Sequence, residues 1–444
     1  MTYKDYNITM NYVSIVNIIF FIISILVGLY VFHFVFFAIV GLFHRKRFPK
    51  CEEKCRYGIL VSAKDEENVI PRLIESVREA DYPQDKLDIY IIAHNCKDRT
   101  ADVAKEMGAN VIVYNNENAR TLGLAYQYAY KQININDYDA FIVLNADNVV
   151  SKDYFEKIND AFIYHNKHDV ITTFRHALNI KDGAISATYS YYFAAACLLS
   201  YIGRECFGVS CRVTGCGFAI PVRLLQDGWN YTSITEDVEF SADKVLNGET
   251  IRYCDEAIFY DEQPRNIKTT WFQRLRWAKG QNLTSRKYFG KLLKALFSKK
   301  SKNKMSLFIS LTFNSFIPLV FFFLFLAQNI LLLFSPLCGV SLQDAFLYWN
   351  HDLNWFQNLF MSFNTGALFG IAKTFVWVIL GSYITATVTL IESRGKYKGQ
   401  PVLPMITGFF IFPFFLLLQI PLDLTAIFVR EVKWRKIPHG RGNK

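Results

Sequence analysis

The sequence predicts an α/β domain with a mostly parallel sheet, inserted between transmembrane helices. Short apolar runs alternate with helical patterns through the first half of the middle block, an order typical of parallel sheets. That block is charged and mixed, whereas the rest of the 444-residue chain, which is 52% hydrophobic, contains long uncharged segments. Four such segments are long enough for membrane helices, at residues 11–43, 306–343, 374–391 and 400–422.

The elements of the middle block follow from its hydrophobic pattern. Strands are predicted at residues 57–63, 87–93, 110–114 and 140–144. Helices are predicted between them, at residues 66–79, 101–107 and 119–132. Ligands of such sheets bind beyond the carboxyl ends of the strands, so the polar residues that follow each strand are the candidate site residues.

The distribution of Lys and Arg predicts the topology of an integral, multi-pass plasma-membrane protein. Basic stretches at residues 44–50 and 286–304 flank the middle block and place it in the cytoplasm. The predicted organisation is a transmembrane helix in 1–43, a cytoplasmic domain in 44–264, interfacial helices in 265–304, a transmembrane helix in 305–336, an extracellular loop in 337–365, a transmembrane helix in 366–391, a Pro-broken segment in 401–429 and a basic tail in 430–444. The segment 401–429 is either re-entrant or a further crossing.

Composition excludes several classes of function. The net charge of +10 is explained by positive-inside topology and anionic lipid, so membrane lipids are predicted partners and nucleic acid is not. The nine cysteines have no metal-ligand spacing. No Gly-rich dinucleotide or P-loop motif follows the first strand.

Acidic and amide residues follow three of the predicted strands. They are Asp65 and Glu66, then Asn95 and Asp98, then Asn145, Asp147 and Asn148. Without a Gly-rich cradle, a bound diphosphate needs another countercharge, which Mg²⁺ or Mn²⁺ held by a carboxylate would supply. Asp147 is the best single candidate for that carboxylate.

Two later motifs carry further candidate chemistry. Gly215 and Gly217 flank Cys216, so the backbone turns sharply or approaches a ligand there. Glu236 and Asp237 then open a predicted helix. Either they only complement the helix dipole behind an N-cap, or one of them is a general base for a hydroxyl nucleophile.

The stretch WFQRLRWAKGQ, residues 271–281, has an unusual helical face. Gln273, Arg276, Trp277 and Gly280 share that face, where a helix packed on lipid or core would carry aliphatic residues. Arg276 can bind phosphate oxygens in a bidentate manner, and Trp277 can stack. The face is therefore predicted to cover a diphosphate, and the alternative is an interfacial helix with an anchoring Trp.

These motifs together resemble the membrane-bound family 2 glycosyltransferases, the inverting GT-A group that includes cellulose, chitin, hyaluronan and poly-N-acetylglucosamine synthases and ceramide glucosyltransferase. The resemblance covers residues 57–285 and rests on VSAKDEENVI (61–70), AHNCKDRTADVA (93–104), NADN (145–148), TED (235–237) and QRLRW (273–277). It implies a GT-A domain and a UDP-sugar donor.

The resemblance also implies a role for each candidate residue. Glu66 and Asp98 would hold uridine, Asp147 would meet the metal and diphosphate, and Asp237, next to Glu236, would be the catalytic base. The remaining implied roles are a diphosphate and acceptor clamp of Gln273, Arg276 and Trp277, an acceptor loop of Gly215, Cys216 and Gly217, and an acid at Glu262 ahead of QxxRW.

The chain departs from the family pattern at three positions. Asn145 stands where the metal motif usually has an acid, and His94 stands where Asp is frequent. Leu122 replaces a Lys, and Arg120 is the candidate for supplying that charge and binding the nucleotide sugar.

The resemblance implies transfer of a hexosyl unit, of glucose or N-acetylglucosamine type, to make a β-linked polysaccharide at the membrane. Its acceptor would be a growing glycan, and a second copy of the chain or a partner subunit could complete a channel. The alternatives are a single-transfer enzyme with a lipid acceptor and, from another class, an inactive membrane scaffold or transporter subunit.

Overall fold

The computed structural model describes residues 22, 25–116, 121–298, 301–313, 320, 323, 367–430 and 432. The predicted extracellular loop, most of the predicted span 305–336, Arg120 and most of the basic tail lie outside these residues. The strands are β1 (Tyr57–Ala63), β2 (Leu87–His94), β3 (Asn110–Tyr114), β4 (Ala140–Asn145), β5 (Val149–Val150), β6 (Val170–Ala177), β7 (Phe218–Pro221) and β8 (Ile251–Asp261).

The described helices alternate with these strands and then continue beyond them. They are α1 (Ile25–Phe43), α2 (Ile70–Arg78), α3 (Thr100–Glu106), α4 (Leu122–Tyr130), α5 (Tyr154–Tyr164), α6 (Ala184–Cys197), α7 (Gly203–Cys206), α8 (Glu236–Leu246), α9 (Ile267–Ala295), α10 (Ser301–Phe308), α11 (Ala367–Glu392), α12 (Val402–Leu417) and α13 (Gln419–Phe428).

All eight strands form one sheet in the order β3-β2-β1-β4-β7-β6-β8-β5. The first four are parallel, β7 is antiparallel to both of its neighbours, β6 and β8 are parallel, and β5 is antiparallel to β8. The predicted mostly parallel sheet is confirmed. Ser62 pairs with Asn145 and Ala63 pairs with Ala93, so β1, β2 and β4 end at one edge, where the candidate residues follow.

The four predicted strands begin at the observed residues, whereas helices α2 and α4 are shorter than predicted and α3 is shifted by one residue. Helix α2 begins at Ile70 because Pro71 favours the first helical turn and because Asp65, with φ of 56°, belongs to a turn. Both faces of the sheet are buried. Ile59 and Val61 of β1 belong to one hydrophobic cluster and Leu60 to the other, as expected when helices cover both sides.

Three helical segments in the described part of the chain are long and apolar enough to cross a membrane, namely Ile25–Phe43, Phe375–Glu392 and Val402–Phe428. The last contains α12 and α13, with Pro413 inside α12 and the boundary at Leu418. Whether 401–429 crosses the membrane or re-enters it stays a prediction.

The apolar helices pack directly on the α/β domain. Gly203 touches α1 so closely that an added Cβ would lie 2.0 Å from the Phe37 carbonyl oxygen. On the other side, the Thr188 hydroxyl of α6 donates to the Gly408 carbonyl of α12 at 3.1 Å. These contacts, made through backbone and small residues, join the apolar helices to the domain.

A buried charge cluster ties three parts of the chain together. Asp255 of β8 accepts from Lys396 at 2.7 Å and also from Arg45, which follows α1. Arg45 also pairs with Glu392 at the end of α11, and Lys396 lies 3.4 Å from the centre of the Phe174 ring. We call these four charged residues the β8 anchor, because Asp255 links the sheet to segments beside two apolar helices.

Candidate active site

The loops after β1 and β2 bring the two predicted uridine residues together. The Glu66 backbone N–H donates to the Thr100 hydroxyl at 2.7 Å, and Asp98 accepts from the backbone N–H groups of Glu67 and Thr100 at 3.2 and 3.0 Å. Asp65, Cys96 and Asp98 also form a group whose potential ligand atoms lie within 4.8 Å of one another. Because Asp65 and Asp98 accept backbone N–H groups across the two loops, we interpret this group as a loop junction.

Asp147, directly after β4, lies beside a second carboxylate that the sequence did not single out. The Asn148 amide donates to Asp147 Oδ1 at 3.2 Å and to Asp261 Oδ1 at 2.8 Å. The pKa of Asp147 is raised well above its usual range, mainly by desolvation and to a smaller extent by the negative charge of Asp261. Two carboxylates therefore share this end of the sheet, one from β4 and one from β8.

Arg175 of β6 is the second residue that sequence reasoning missed. Its guanidinium forms an ion pair with Asp261 and lies 4.5 Å from the centre of the Phe193 ring. A Cβ added at Gly215 would lie 3.7 Å from Arg175 Nη1, so this cation sits between the carboxylate pair and the glycine loop. The only sequence signal for this cluster was that Asp261 adjoins Glu262, because the pairing of β6 with β8 was not predicted.

The glycine loop holds Asp237. The Gly215 backbone N–H donates to Asp237 Oδ2 at 2.6 Å, and φ values of 73° and 71° place Gly215 and Gly217 in the left-handed region. A Cβ at Gly217 would also lie 2.0 Å from the Phe259 ring. Cys216 is buried between the glycines and accepts from the Asn145 amide at 3.4 Å. The loop is thus fixed to β4 through Cys216, and its Gly215 N–H donates to the predicted base.

Helix α8 begins at Glu236, as predicted, and its first turn contains the acids Glu236, Asp237 and Glu239, which complement the helix dipole. Thr235 occupies the N-cap position without a side-chain capping bond, and its hydroxyl is buried with no partner. Glu236 is buried, whereas Asp237 is partly exposed toward the site. Asp237 is therefore the accessible carboxylate of the pair.

The pKa of Glu236 is raised to about 8, mainly by burial and to a smaller extent by the neighbouring charge of Asp237. Its ordinary value is 4.5, so the folded protein holds a proton that the unfolded chain releases. We expect this contribution to stability to be complete below pH 4.5 and to be lost as the pH rises through about 8. Melting temperatures across this range should fall more steeply for the wild type than for Glu236→Gln, and parallel curves would contradict the prediction.

The polar face of α9 packs on the α/β domain. Gln273 accepts from the Tyr189 hydroxyl at 2.7 Å, and Arg276 donates to the Ile234 carbonyl at 3.2 Å, just before the TED motif. Gly280 lies against Thr235, and an added Cβ would be 2.2 Å from its methyl group. The absence of a side chain at position 280 is thus required for α9 to reach the start of α8.

The opposite face of α9 packs on the apolar helices. Arg274 donates to Gln419 at 2.7 Å, Lys279 donates to the Ala426 carbonyl at 3.1 Å, and Leu275 and Ala278 pack on α13. Trp277 belongs to a cluster with Tyr189 and Phe415. Because protein contacts both faces around QxxRW, the alternative of a simple interfacial helix with a lipid-anchoring Trp does not account for this helix.

The structure thus places the catalytic candidates together around Arg175 and Cys216. Arg276 interacts electrostatically with Glu236, Asp237 and Arg175, and Asp147 interacts with Asp261, Arg175 and Glu66. Glu262 forms ion pairs with Arg72 at 2.9 Å and with Arg265 at 2.6 Å. The carboxylate oxygens of Asp147 and Asp261 are ligands of the type that Mg²⁺ and Mn²⁺ prefer, so the residues present fit a divalent ion.

Comparison with known proteins agrees with this architecture. The "Probable glycosyltransferase YdaM" of Bacillus subtilis is 23% identical over 347 residues, which cover 74% of this chain and 80% of that protein. The poly-beta-1,6-N-acetyl-D-glucosamine synthase of Staphylococcus epidermidis is 24% identical over 332 residues, covering 72% and 75%. The beta-monoglucosyldiacylglycerol synthase of Trichormus variabilis is 24% identical over 239 residues, covering 50% and 48%.

The family match covers the whole site described above. Residues 55–280, more than half of the chain, match the family described as glycosyltransferase like family 2. This range begins just before β1 and ends at Gly280 of α9, so it contains the carboxylate pair, the glycine loop, TED and QxxRW. The chain therefore belongs to glycosyltransferase family 2, and its eight-stranded domain is the GT-A domain of a transferase.

Proposed function

We propose that the protein transfers a hexosyl unit, of glucose or N-acetylglucosamine type, from a UDP-sugar to an acceptor hydroxyl with inversion. The observation that carries this proposal is the position of Asp237. Its carboxylate is partly exposed, is held by the Gly215 N–H at 2.6 Å, and lies near Arg276. A fixed carboxylate beside cations suits a reaction in which a proton is removed while a diphosphate leaves.

In the proposed reaction, the acceptor hydroxyl gives its proton to Asp237 as its oxygen attacks the anomeric carbon of the donor. The bond from that carbon to the UDP oxygen breaks, and UDP leaves with its electron pair. Attack opposite the leaving group converts an α-linked donor into a β-linked product. Arg276 and Arg175 would stabilise the negative charge that develops on the diphosphate.

A divalent ion would add charge stabilisation of the same kind, and Asp147 is the residue proposed to hold it. Glu66 and Asp98 are proposed to hold the uridine. Their loops are joined by hydrogen bonds, and Glu66 is close enough to Asp147 to influence its pKa. The nucleotide would therefore extend from these loops toward Asp147 and Arg276.

The proposed product is a β-linked polysaccharide made at the membrane. The contact of α9 with α12 and α13 supports this proposal, because QxxRW then lies between the catalytic domain and apolar helices. The named product of the Staphylococcus epidermidis relative is also a polymer. A single-transfer enzyme with a lipid acceptor is the second candidate, since the Trichormus variabilis relative is named as a glycolipid synthase.

The test is UDP release by the purified full-length protein with a panel of UDP-sugars and Mn²⁺ or Mg²⁺. We expect one donor to be consumed and release to stop when a chelator removes the ion. Product size then separates a polymer from a glycolipid. If no UDP-sugar is consumed and none binds, the inactive scaffold or transporter subunit would replace the transferase proposal.

A further inference from the structure

Position 145 provides no anionic ligand, and its amide is engaged elsewhere. The Asn145 amide nitrogen donates to Cys216 Sγ at 3.4 Å, and its backbone N–H donates to the Asn148 side-chain oxygen at 2.9 Å. Asn145 therefore links β4 to the glycine loop. A second carboxylate for a cation held near Asp147 would have to come from another part of the fold.

Asp261 is in the right place to be that partner. It ends β8, is 2% exposed, and shares with Asp147 a single hydrogen-bond donor, the Asn148 amide nitrogen. Two oxygens that reach one small donor are close enough to approach one Mg²⁺ or Mn²⁺ ion, with bonds of about 2.1 Å, after a modest side-chain shift. Asp147 keeps an accessible edge, so the pair is not sealed from the nucleotide.

The charges of the cluster are compatible with a further cation. Asp147, Asp261 and Glu66 carry three negative charges when ionised, and Arg175 supplies one positive charge among them. Two negative charges remain, the number that one divalent ion neutralises. Carboxylates crowded in this way are unfavourable in a protein interior unless they take up a proton or a cation accompanies them.

An independent feature at the same place points to a ligand. Gln263 is completely buried, and its amide nitrogen donates to Asp261 Oδ2 at 2.6 Å. Its side-chain oxygen is buried and has no hydrogen-bond partner. A buried acceptor without a donor, in a side chain bonded to the Asp261 carboxylate, is costly unless a cation or a hydrated ion meets it.

We propose that Asp261 and Asp147 together hold the divalent ion, with Asp261 supplying the carboxylate that Asn145 lacks. The proposal rests on the proposed function for the metal and its diphosphate partner. It gives a metal-binding role to Asp261, the last residue of β8, which would otherwise be taken only as part of the sheet. Arg175, paired with Asp261, would then lie next to the ion and face the same leaving group.

The test is Mn²⁺ binding to the purified full-length protein with UDP, measured by electron paramagnetic resonance. We expect Asp261→Asn to weaken Mn²⁺ binding by about tenfold or more, since loss of even a supporting group around a metal has effects of this size. Asn145→Asp should strengthen binding, and the double variant should return to within a few-fold of wild type. Asp160→Asn is the matched control, because Asp160 is also a buried acid but accepts from the Cys51 backbone N–H instead of belonging to the site.

Wild-type Mn²⁺ affinity in a folded Asp261→Asn protein would overturn the inference and leave Asp261 as the residue that positions Arg175. If Asp261→Asn does not fold, Asn145→Asp decides alone, because unchanged affinity there would place the ion away from this pair. Turnover that persists in chelator would also overturn the inference while the transferase proposal stands. Asp261-dependent Mn²⁺ binding without turnover of any UDP-sugar would support the inference and count against the proposed reaction.

Discussion

Asp237→Asn is expected to lower UDP-sugar turnover by about 10²- to 10⁴-fold, the usual contribution of a positioned general base. The amide has nearly the shape of the carboxylate and can still accept from the Gly215 N–H, so the glycine loop should keep its conformation. It cannot take the acceptor proton. The effect should therefore appear in kcat, while the affinity for UDP changes little.

The measurement is UDP release at saturating donor, with UDP binding measured by calorimetry on the same preparation. Asp243→Asn is a suitable control, because Asp243 lies on the same helix and accepts from the Tyr231 hydroxyl at 2.7 Å. Turnover within tenfold of wild type for Asp237→Asn would reject this residue as the base. Loss of both turnover and UDP binding would instead indicate a damaged site.

Asp255→Asn is expected to reduce the free energy of unfolding by about 3–5 kcal/mol, the usual effect of breaking a buried ion pair. Asp255 is the anion that faces both Lys396 and Arg45 in the β8 anchor. Burial alone would raise the pKa of Asp255, but these two cations hold it below its usual range. An amide would leave Lys396 buried next to Phe174 without its counter-ion.

Equilibrium unfolding in mixed detergent micelles would measure this change. The control is Arg99→Met, because Arg99 and Glu106 form an exposed pair at 2.8 Å with both side chains 65% accessible. Exposed pairs of this kind contribute about 0–1 kcal/mol. Equal effects of the two substitutions would show that the β8 anchor contributes no more than a surface pair. A large effect of Asp255→Asn alone would show that the buried ion pairs of the β8 anchor contribute more to stability than a surface pair does.

The sequence determined the local features of this protein. The starts of β1 to β4 follow from short apolar runs, and the candidate acids follow from where those runs end. The helix at TED and the unusual polar face of WFQRLRWAKGQ were also visible, because side-chain periodicity shows which residues share a face of a helix. That periodicity does not record which partner buries them. The polar face of α9 contacts Ile234, Thr235 and Tyr189, partners that the sequence did not identify, and its role as a cover for a diphosphate stays a prediction.

Only the tertiary structure placed Asp261 and Arg175 in the site. Strands β6 and β8 pair in parallel although they are far apart in the sequence. In the sheet, β7 lies between β4 and β6. This order depends on packing between distant segments, and no local pattern specifies it. The acids that follow β1, β2 and β4 could be found from the sequence because parallel strands end at one edge, whereas Asp261 reaches Asp147 through the strand order alone.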